Sequence, residues 1–197
     1  FKMRILVINR EPLDKIPPLI SVIEILRDLK HDISVITCGM PESISTHFEA
    51  DGIKNYIVYY KVEKNIYKKL QNVISYRKNV YEIIDKYNPE IVWLEGGGTF
   101  RLLRDLTKKY RGIFILQISE LYQKNKKIHN SLQKLVPSAT AIVMPEYNRA
   151  VLFQIKYGLQ ERPFVLPNKP YFWLTKEMVS RLEVKYKKIL SVFASKK

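Results

Sequence analysis

What most restricts the fold of this chain is the regular return of short, predominantly apolar runs. Met3 to Asn9, Ile33 to Thr37, Ile91 to Leu94, Ile113 to Ile118, Ala141 to Met144 and Phe164 to Leu166 all have this character. Each is too short to form a helix with a buried face, and none alternates with polar residues to leave one side in water. Such runs read as strands covered on both faces, as in a parallel sheet. Between them lie longer stretches with helical periodicity. Leu19, Val22, Ile23, Leu26 and Leu29 follow Pro17 and Pro18, a pair suited to a first helical turn. Strand and helix in alternation specify an α/β domain. A further strand, Tyr56 to Tyr60, is expected after a loop holding Asp51-Gly52.

A long helix is expected from about Lys64 to Tyr87, with Ile66, Leu70, Val73, Val80, Ile84 and Tyr87 on its stripe. Asn88-Pro89 ends it, because the residue before proline is pushed out of helical space. Arg77 occupies the one stripe position that is not apolar. Its stem should be covered and its head bonded to a carboxylate or carbonyl, since an unpartnered buried guanidinium is too costly to keep; otherwise a slight rotation leaves it in solvent and turns Tyr76 and Tyr81 inward. Later helices are expected over Phe100 to Tyr110, within the lysine-rich segment Ser119 to Val136, and over Tyr147 to Tyr157. The tail carries a stripe of Met178, Leu182, Tyr186, Ile189 and Phe193. It has two readings, a helix along that whole stripe from near Thr175, or, the one preferred, a helix to about Lys187 with a frayed or orphaned strand over Lys188 to Ala194.

Composition narrows the functional classes. Within 197 residues there is one cysteine, Cys38, so neither an internal disulfide nor a cysteine-rich zinc site is expected. His31, His47 and His129 assemble neither a zinc site nor a Ser-His-Asp triad from spacing. No apolar run approaches the length needed to span a bilayer. Thirty-four Lys and Arg against 19 Asp and Glu leave a net charge of +15, a field that attracts polyanions. Nucleic acid is not the expected partner, because no recognisable RNA- or DNA-binding module accompanies the charge.

In an open parallel sheet, ligands gather at the carboxyl ends of the strands. That rule selects Asn9-Arg10-Glu11, Cys38-Gly39, Glu95-Gly96-Gly97-Gly98-Thr99, Ser119-Glu120-Leu121-Tyr122 and Pro145-Glu146. The glycine run is neither Gly-x-Gly-x-x-Gly nor a Walker loop, since Phe100-Arg101 follows it. Two roles remain open for it: a structural tight turn, or backbone contact with an acceptor or a phosphate. Glu120 is either a cleft contact or an acid at a helix N-terminus. Arg149 is expected to bridge its helix to nearby carboxylates or carbonyls.

The stretch Ala139 to Ala150, a short strand entering a helix that opens on Pro145-Glu146 and carries Asn148-Arg149-Ala150, is followed by a strand stopping on Pro167-Asn168-Lys169-Pro170. Together these resemble the end of the N-terminal domain of a GT-B fold glycosyltransferase, family 4-like, of the glycosyl transferase group 1 type. The resemblance covers Met3 to about Pro170. It implies a three-layer Rossmann-like α/β domain with a mainly parallel sheet of about seven strands, ordered 3-2-1-4-5-6-7. Residues 1–170 would be the acceptor-side domain, and 171–197 a C-terminal helix with the start of a donor-binding domain that the sequence does not include.

The implied activity is retaining transfer of a sugar from a nucleotide-sugar donor to a cell-surface glycan or lipid acceptor, inactive without the donor domain and using no cofactor and no metal. The acceptor-side residues would be Asn9, Arg10, Glu95, Gly96, Gly97, Gly98, Thr99, Ser119, Glu120 and Tyr122. Similar enzymes carry Asp-x-His-Glu-Leu-Tyr after the fifth strand; here Glu120-Leu121-Tyr122 match, while Gln117 and Ser119 replace the Asp and the His. Those replacements point to the alternative, a non-catalytic, glycosyltransferase-like binding module. In similar enzymes basic and aromatic helices rest on the membrane, which would make Lys64, Lys68, Lys69, Lys124, Lys126 and Lys127 membrane-facing, with Tyr67, Tyr76 and Tyr81 as interfacial aromatics; the other reading of these runs is a solvated lysine face. The implied location is cytoplasmic, peripheral on the inner membrane face.

Overall fold

A computed structural model describes residues 2–122, 124–168 and 175–194. Among these, seven strands form one parallel sheet: β1 (Arg4–Asn9), β2 (Asp32–Thr37), β3 (Lys54–Ile57), β4 (Ile91–Glu95), β5 (Ile113–Gln117), β6 (Ala141–Met144) and β7 (Phe164–Val165). Their order is β3-β2-β1-β4-β5-β6-β7, as expected from the sequence. The helices are α1 (Pro17–Asp28), α2 (Glu42–Ala50), α3 (Ile66–Tyr87), α4 (Gly97–Leu102), α5 (Lys126–Leu135), α6 (Tyr147–Tyr157) and α7 (Lys176–Ala194).

Strand side chains alternate between faces, so the sheet feeds two cores. Ile5, Val7, Val35, Trp93 and Val143 pack with α1, with Phe48 of α2 and with Leu182, Tyr186 and Ile189 of α7. Leu6, Ile8, Leu94, Leu116 and Met144 pack with Tyr76, Val80 and Ile84 of α3 and with the buried faces of α4, α5 and α6. The result is three layers, helix, sheet and helix.

Four expectations need correction. The strand expected over Tyr56 to Tyr60 lies earlier, because β2 ends at Thr37, whose carbonyl takes the amide of Val58 at 2.8 Å. Beyond that point no strand edge remains to pair with, and Tyr59 is exposed. The loop expected before it contains α2. That helix buries one side chain, Phe48, and so leaves almost no periodic signal. The helix expected over Phe100 to Tyr110 is instead α4 followed by a 3-10 turn at Leu106–Lys108. The tail is helical through Ala194, because Leu182, Tyr186, Ile189 and Leu190 all lie on one buried face, which a strand would divide between two sides. Tyr186 stacks on Trp93 with ring centroids 5.8 Å apart. The side chain of Phe193, residues Lys169-Pro170 and the expected boundary at 170 lie outside the described residues.

In α3 the apolar stripe is buried only from Tyr76 onward; Ile66, Leu70 and Ile74 are exposed. Length explains this. Twenty-two helical residues extend roughly 33 Å, whereas strands of four to six residues extend roughly 13–20 Å. The first turns of α3 overshoot the sheet. Asn65 caps the start, its side chain accepting the amides of Tyr67 and Lys68, and Asn88 closes the end in the left-handed region at φ 48°. Arg77 meets its expectation: its Nε donates to the carbonyl of Leu102, and its Nη2 lies 3.6 Å from Asp105. The break after α4 frees that carbonyl, because the amide of Leu106 bonds to Leu103 instead.

Candidate functional site

The strand register sets a row of polar side chains across the end of the sheet. Asn9 pairs with Glu95, Glu95 with Gln117, and Thr37 lies one step beyond the Ile8–Ile36 pair. All four are buried, so each must find a partner inside the protein. Asn9 Nδ2 donates to the carboxylate Oε2 of Glu95 and, at 3.2 Å, to its carbonyl; Ser119 Oγ donates to Glu95 Oε1 at 2.9 Å. Asn9 Oδ1 accepts the amide of Glu11. Thr37 Oγ1 lies 2.7 Å from the carbonyl of Glu11 and 3.0 Å from that of Gly39. Trp93 Nε1 donates to Gln117 Oε1 at 2.8 Å. One network therefore locks the loops after β1, β2, β4 and β5.

Glu95 is the charged centre of that network. Burial pushes its pKa from 4.5 up to about 7, against the opposing bonds from Ser119 and Asn9, and the nearby Glu120 charge adds to the rise. At 3% exposure it cannot reach a ligand; it ties β4 to β1 and to the loop after β5.

The glycine run serves close approach. Gly96 sits at φ +89°, and a Cβ there would lie 3.2 Å from Asn9 Nδ2. At Gly97 a Cβ would stand 2.5 Å from Ile128 and 2.9 Å from the Tyr122 ring, and at Gly98 2.6 Å from the Arg10 guanidinium. The Gly97 amide donates to Tyr122 Oη at 3.0 Å, and Thr99 Oγ1 accepts the Arg10 amide at 2.9 Å. The turn thus receives the side chains of its neighbours, a structural role for the run.

An open cleft of about 730 Å³ lies beside this network, lined by Glu120, Tyr122, Lys124, Asn125 and Arg149 among others. Glu120 faces it from a loop; α5 starts later, at Lys126, and is capped by Asn125, whose side chain accepts the amide of Ile128. Glu120 is therefore no helix N-terminal acid. Tyr122 adopts φ 47°, a region uncommon outside glycine, fixed by its bond to Gly97. Its phenol is pushed up to about 12 by burial first and the Glu95 charge second, so it remains a hydrogen-bond donor at any ordinary pH. Arg149 Nη1 donates to the carbonyl of Ser119 at 2.6 Å, with Nε 3.4 Å from Glu146, the bridging role expected for it.

The ten residues singled out by sequence divide by position. Asn9, Glu95, Gly97 and Thr99 are buried beneath the cleft. Glu120 and Tyr122 line it. Ser119 turns its hydroxyl inward to Glu95, Gly96 and Gly98 hold the turn, and Arg10 packs over Gly98 and the Tyr60 ring, 5.5 Å from its centroid. Sequence reasoning passed over Lys124 and Asn125 as cleft residues and Thr37 as a tie between loops. Their only signal was proximity in sequence to the strand ends.

Of the six lysines expected to face a membrane, Lys69 and Lys127 meet at one groove between α3 and α5, Lys124 lines the cleft, and Lys64, Lys68 and Lys126 stand exposed. Tyr67 is exposed, but Tyr76 is buried and cannot serve as an interfacial aromatic. Among the described residues no helix is long and apolar enough to cross a membrane. One trio there, Glu24, His47 and Asp51, has the proximity of metal ligands. Arg27 already reaches Glu24 and Asp51, so a cation occupies that position. His47, on α2, lies 2.9 Å from Glu24.

No protein-family model matches this sequence, and no curated protein matches it. Solved structures do match its fold. Anabaena HepE in complex with UDP-glucose aligns with a TM-score of 0.63 at 12% identity, covering 94% of this chain and 50% of HepE. A glycosyltransferase from Rickettsia africae aligns at 0.57 and 22% identity, with coverage of 94% and 50%. A putative UDP-N-acetylglucosamine 2-epimerase from Listeria monocytogenes aligns at 0.53 and 14% identity, with coverage of 79% and 43%. The chain spans about half the length of these structures, and its fold is that of a GT-B glycosyltransferase N-terminal domain.

Proposed function

We propose that this chain is the acceptor-side domain of a glycosyltransferase that uses a nucleotide-sugar donor. The observation that carries the reading is the cleft at the carboxyl edge of the sheet, where Glu120, Tyr122 and Arg149 present a carboxylate, a phenol and a guanidinium above a locked, buried network. A carboxylate accepts from sugar hydroxyls and a guanidinium donates to them, so the set suits a polyhydroxylated acceptor or its head group. The rigid base holds these groups in place, and positioning of the acceptor hydroxyl is what such a domain contributes to transfer. The donor would be held by a second domain, matching the half of the solved structures outside the alignment. On this reading transfer is retaining, the acceptor is a cell-surface glycan or lipid, the chain alone is inactive, and its exposed lysines rest on the anionic inner face of a membrane.

Calorimetry tests the division of labour. With UDP-, GDP- and ADP-sugars the chain alone should bind nothing tighter than about millimolar, roughly −4 kcal/mol; micromolar binding by any of them would overturn the assignment. A saccharide panel should give binding that Glu120→Ala or Arg149→Ala removes.

A second reading, a non-catalytic binding module, is favoured by the inward turn of Gln117 and Ser119, which serve Trp93 and Glu95 instead of the cleft. A transfer assay with a donor-binding domain supplied separates the two. Product supports the enzyme; acceptor binding without product supports the module.

A further inference from the structure

A second groove, lined by none of the cleft residues, runs between α3, α4 and α5 and has a volume of about 410 Å³. Five cations converge on it: Lys69 and Arg77 from α3, Arg101 from α4, Arg104 just after it and Lys127 from α5. A single carboxylate, Asp105, is shared by Arg77 and Arg104 at 3.6 and 3.5 Å. Among the described residues no carboxylate comes within ion-pair distance of Lys69, Arg101 or Lys127. Lys69 and Arg101 are nonetheless half-buried, and like charges gathered at low solvent exposure repel one another and lose hydration. A pentad of this kind is complementary to a compact anion carrying more than one charge. Leu70, Val73 and Leu102 add an apolar wall, continued along α3 by the exposed Ile66 and Ile74.

We propose that this groove is a binding site for a phosphoryl group, with Arg101 and Lys69 as its principal ligands and Lys127 closing it from α5. Guanidinium and ammonium bonds to phosphate oxygens are charge-assisted, and the planar Arg101 fork suits two oxygens at once. Arg77, already bound to the Leu102 carbonyl, contributes field more than contact. The apolar wall would hold the hydrocarbon of a phosphorylated amphiphile, whereas a free phosphate compound would use the cations alone.

Two probes distinguish those sources: pyrophosphate, followed by calorimetry, and phosphatidylcholine vesicles with or without phosphatidic acid, followed by sedimentation. At least one should bind. The double variant Lys69→Gln/Arg101→Gln should weaken that binding by about tenfold or more, while Lys187→Gln/Lys188→Gln on α7 should leave it within about twofold. The groove pair makes no ion pair among the described residues, so the double variant should melt at or above the wild-type temperature. Leu70→Ser should abolish vesicle binding and spare pyrophosphate, assigning the lipid source; pyrophosphate binding without vesicle binding assigns a free phosphate compound. Failure of both probes to bind, or equal weakening by the α7 pair, overturns the proposal.

Discussion

Replacing Glu95 with glutamine should stabilise this protein at neutral and alkaline pH and do little in acid. The group ionises near 4.5 when solvated and near about 7 when folded. Between those values the native state holds a proton that the unfolded chain has released, so stability is greatest below about pH 4.5 and falls as pH rises through about 7. The gap of 2.5 units, at about 1.4 kcal/mol each, makes the loss about 3 kcal/mol. Glutamine reproduces the protonated carboxyl: its oxygen accepts from Asn9 Nδ2, and its amide donates to Ser119 Oγ, the two partners Glu95 already has. Urea unfolding of wild type and Glu95→Gln at half-unit steps from about pH 4.5 to 8 isolates the effect, since every other titrating group cancels in the difference. The two should nearly coincide in acid, diverge by about 1.4 kcal/mol per unit, and run parallel above about pH 7.5. In thermal terms the separation at about pH 8 is roughly 6–12 °C. Curves that stay parallel across the whole range would show that Glu95 ionises in the folded protein as it does in water, refuting the account of the network.

Other substitutions test neighbouring parts of the argument. Arg77→Ala should cost about 2 kcal/mol in urea unfolding, mainly by stripping the Leu102 carbonyl of a charged donor; a change within about 0.5 kcal/mol would place Arg77 among ordinary surface residues. The Tyr76 hydroxyl is buried and has no hydrogen-bond partner among the described residues, so Tyr76→Phe should be neutral or raise stability by about 1 kcal/mol, and a clear loss would reveal a missing partner. Gly97→Ala forces a methyl to within 2.5 Å of Ile128 and 2.9 Å of Tyr122 and should cost about 1–3 kcal/mol, with near-ultraviolet dichroism reporting the displaced Tyr122. Charge reversal at Lys64, Lys68 and Lys69 should weaken sedimentation with acidic vesicles more than reversal at Lys187 and Lys188, the binding fading as salt rises; equal losses would reduce it to unspecific charge.

Local sequence determined the elements whose residues face one environment throughout. β1, β4, β5 and β6 are read from uninterrupted apolar runs because both faces of each strand meet a helix layer. The expected strand order likewise stands, although it came from the resemblance and not from periodicity. Arg77 was identifiable because a guanidinium on an apolar stripe needs a partner, and the partners proved to be a carbonyl and a carboxylate. Tertiary structure decided whatever depended on distant segments meeting. The exposed first turns of α3 follow from a helix longer than the strands beneath it, a comparison that no window along the chain contains. α2 buries Phe48 and only partly covers Ile44, too little for a periodic signal. Glu95 looked like a ligand contact from its place at a strand end, but register alignment with Asn9 and the approach of Ser119 buried it. The basic groove is the clearest case: Lys69, Arg101 and Lys127 are each unexceptional on their own segments, and only the packing of α3, α4 and α5 concentrates their charge in one place.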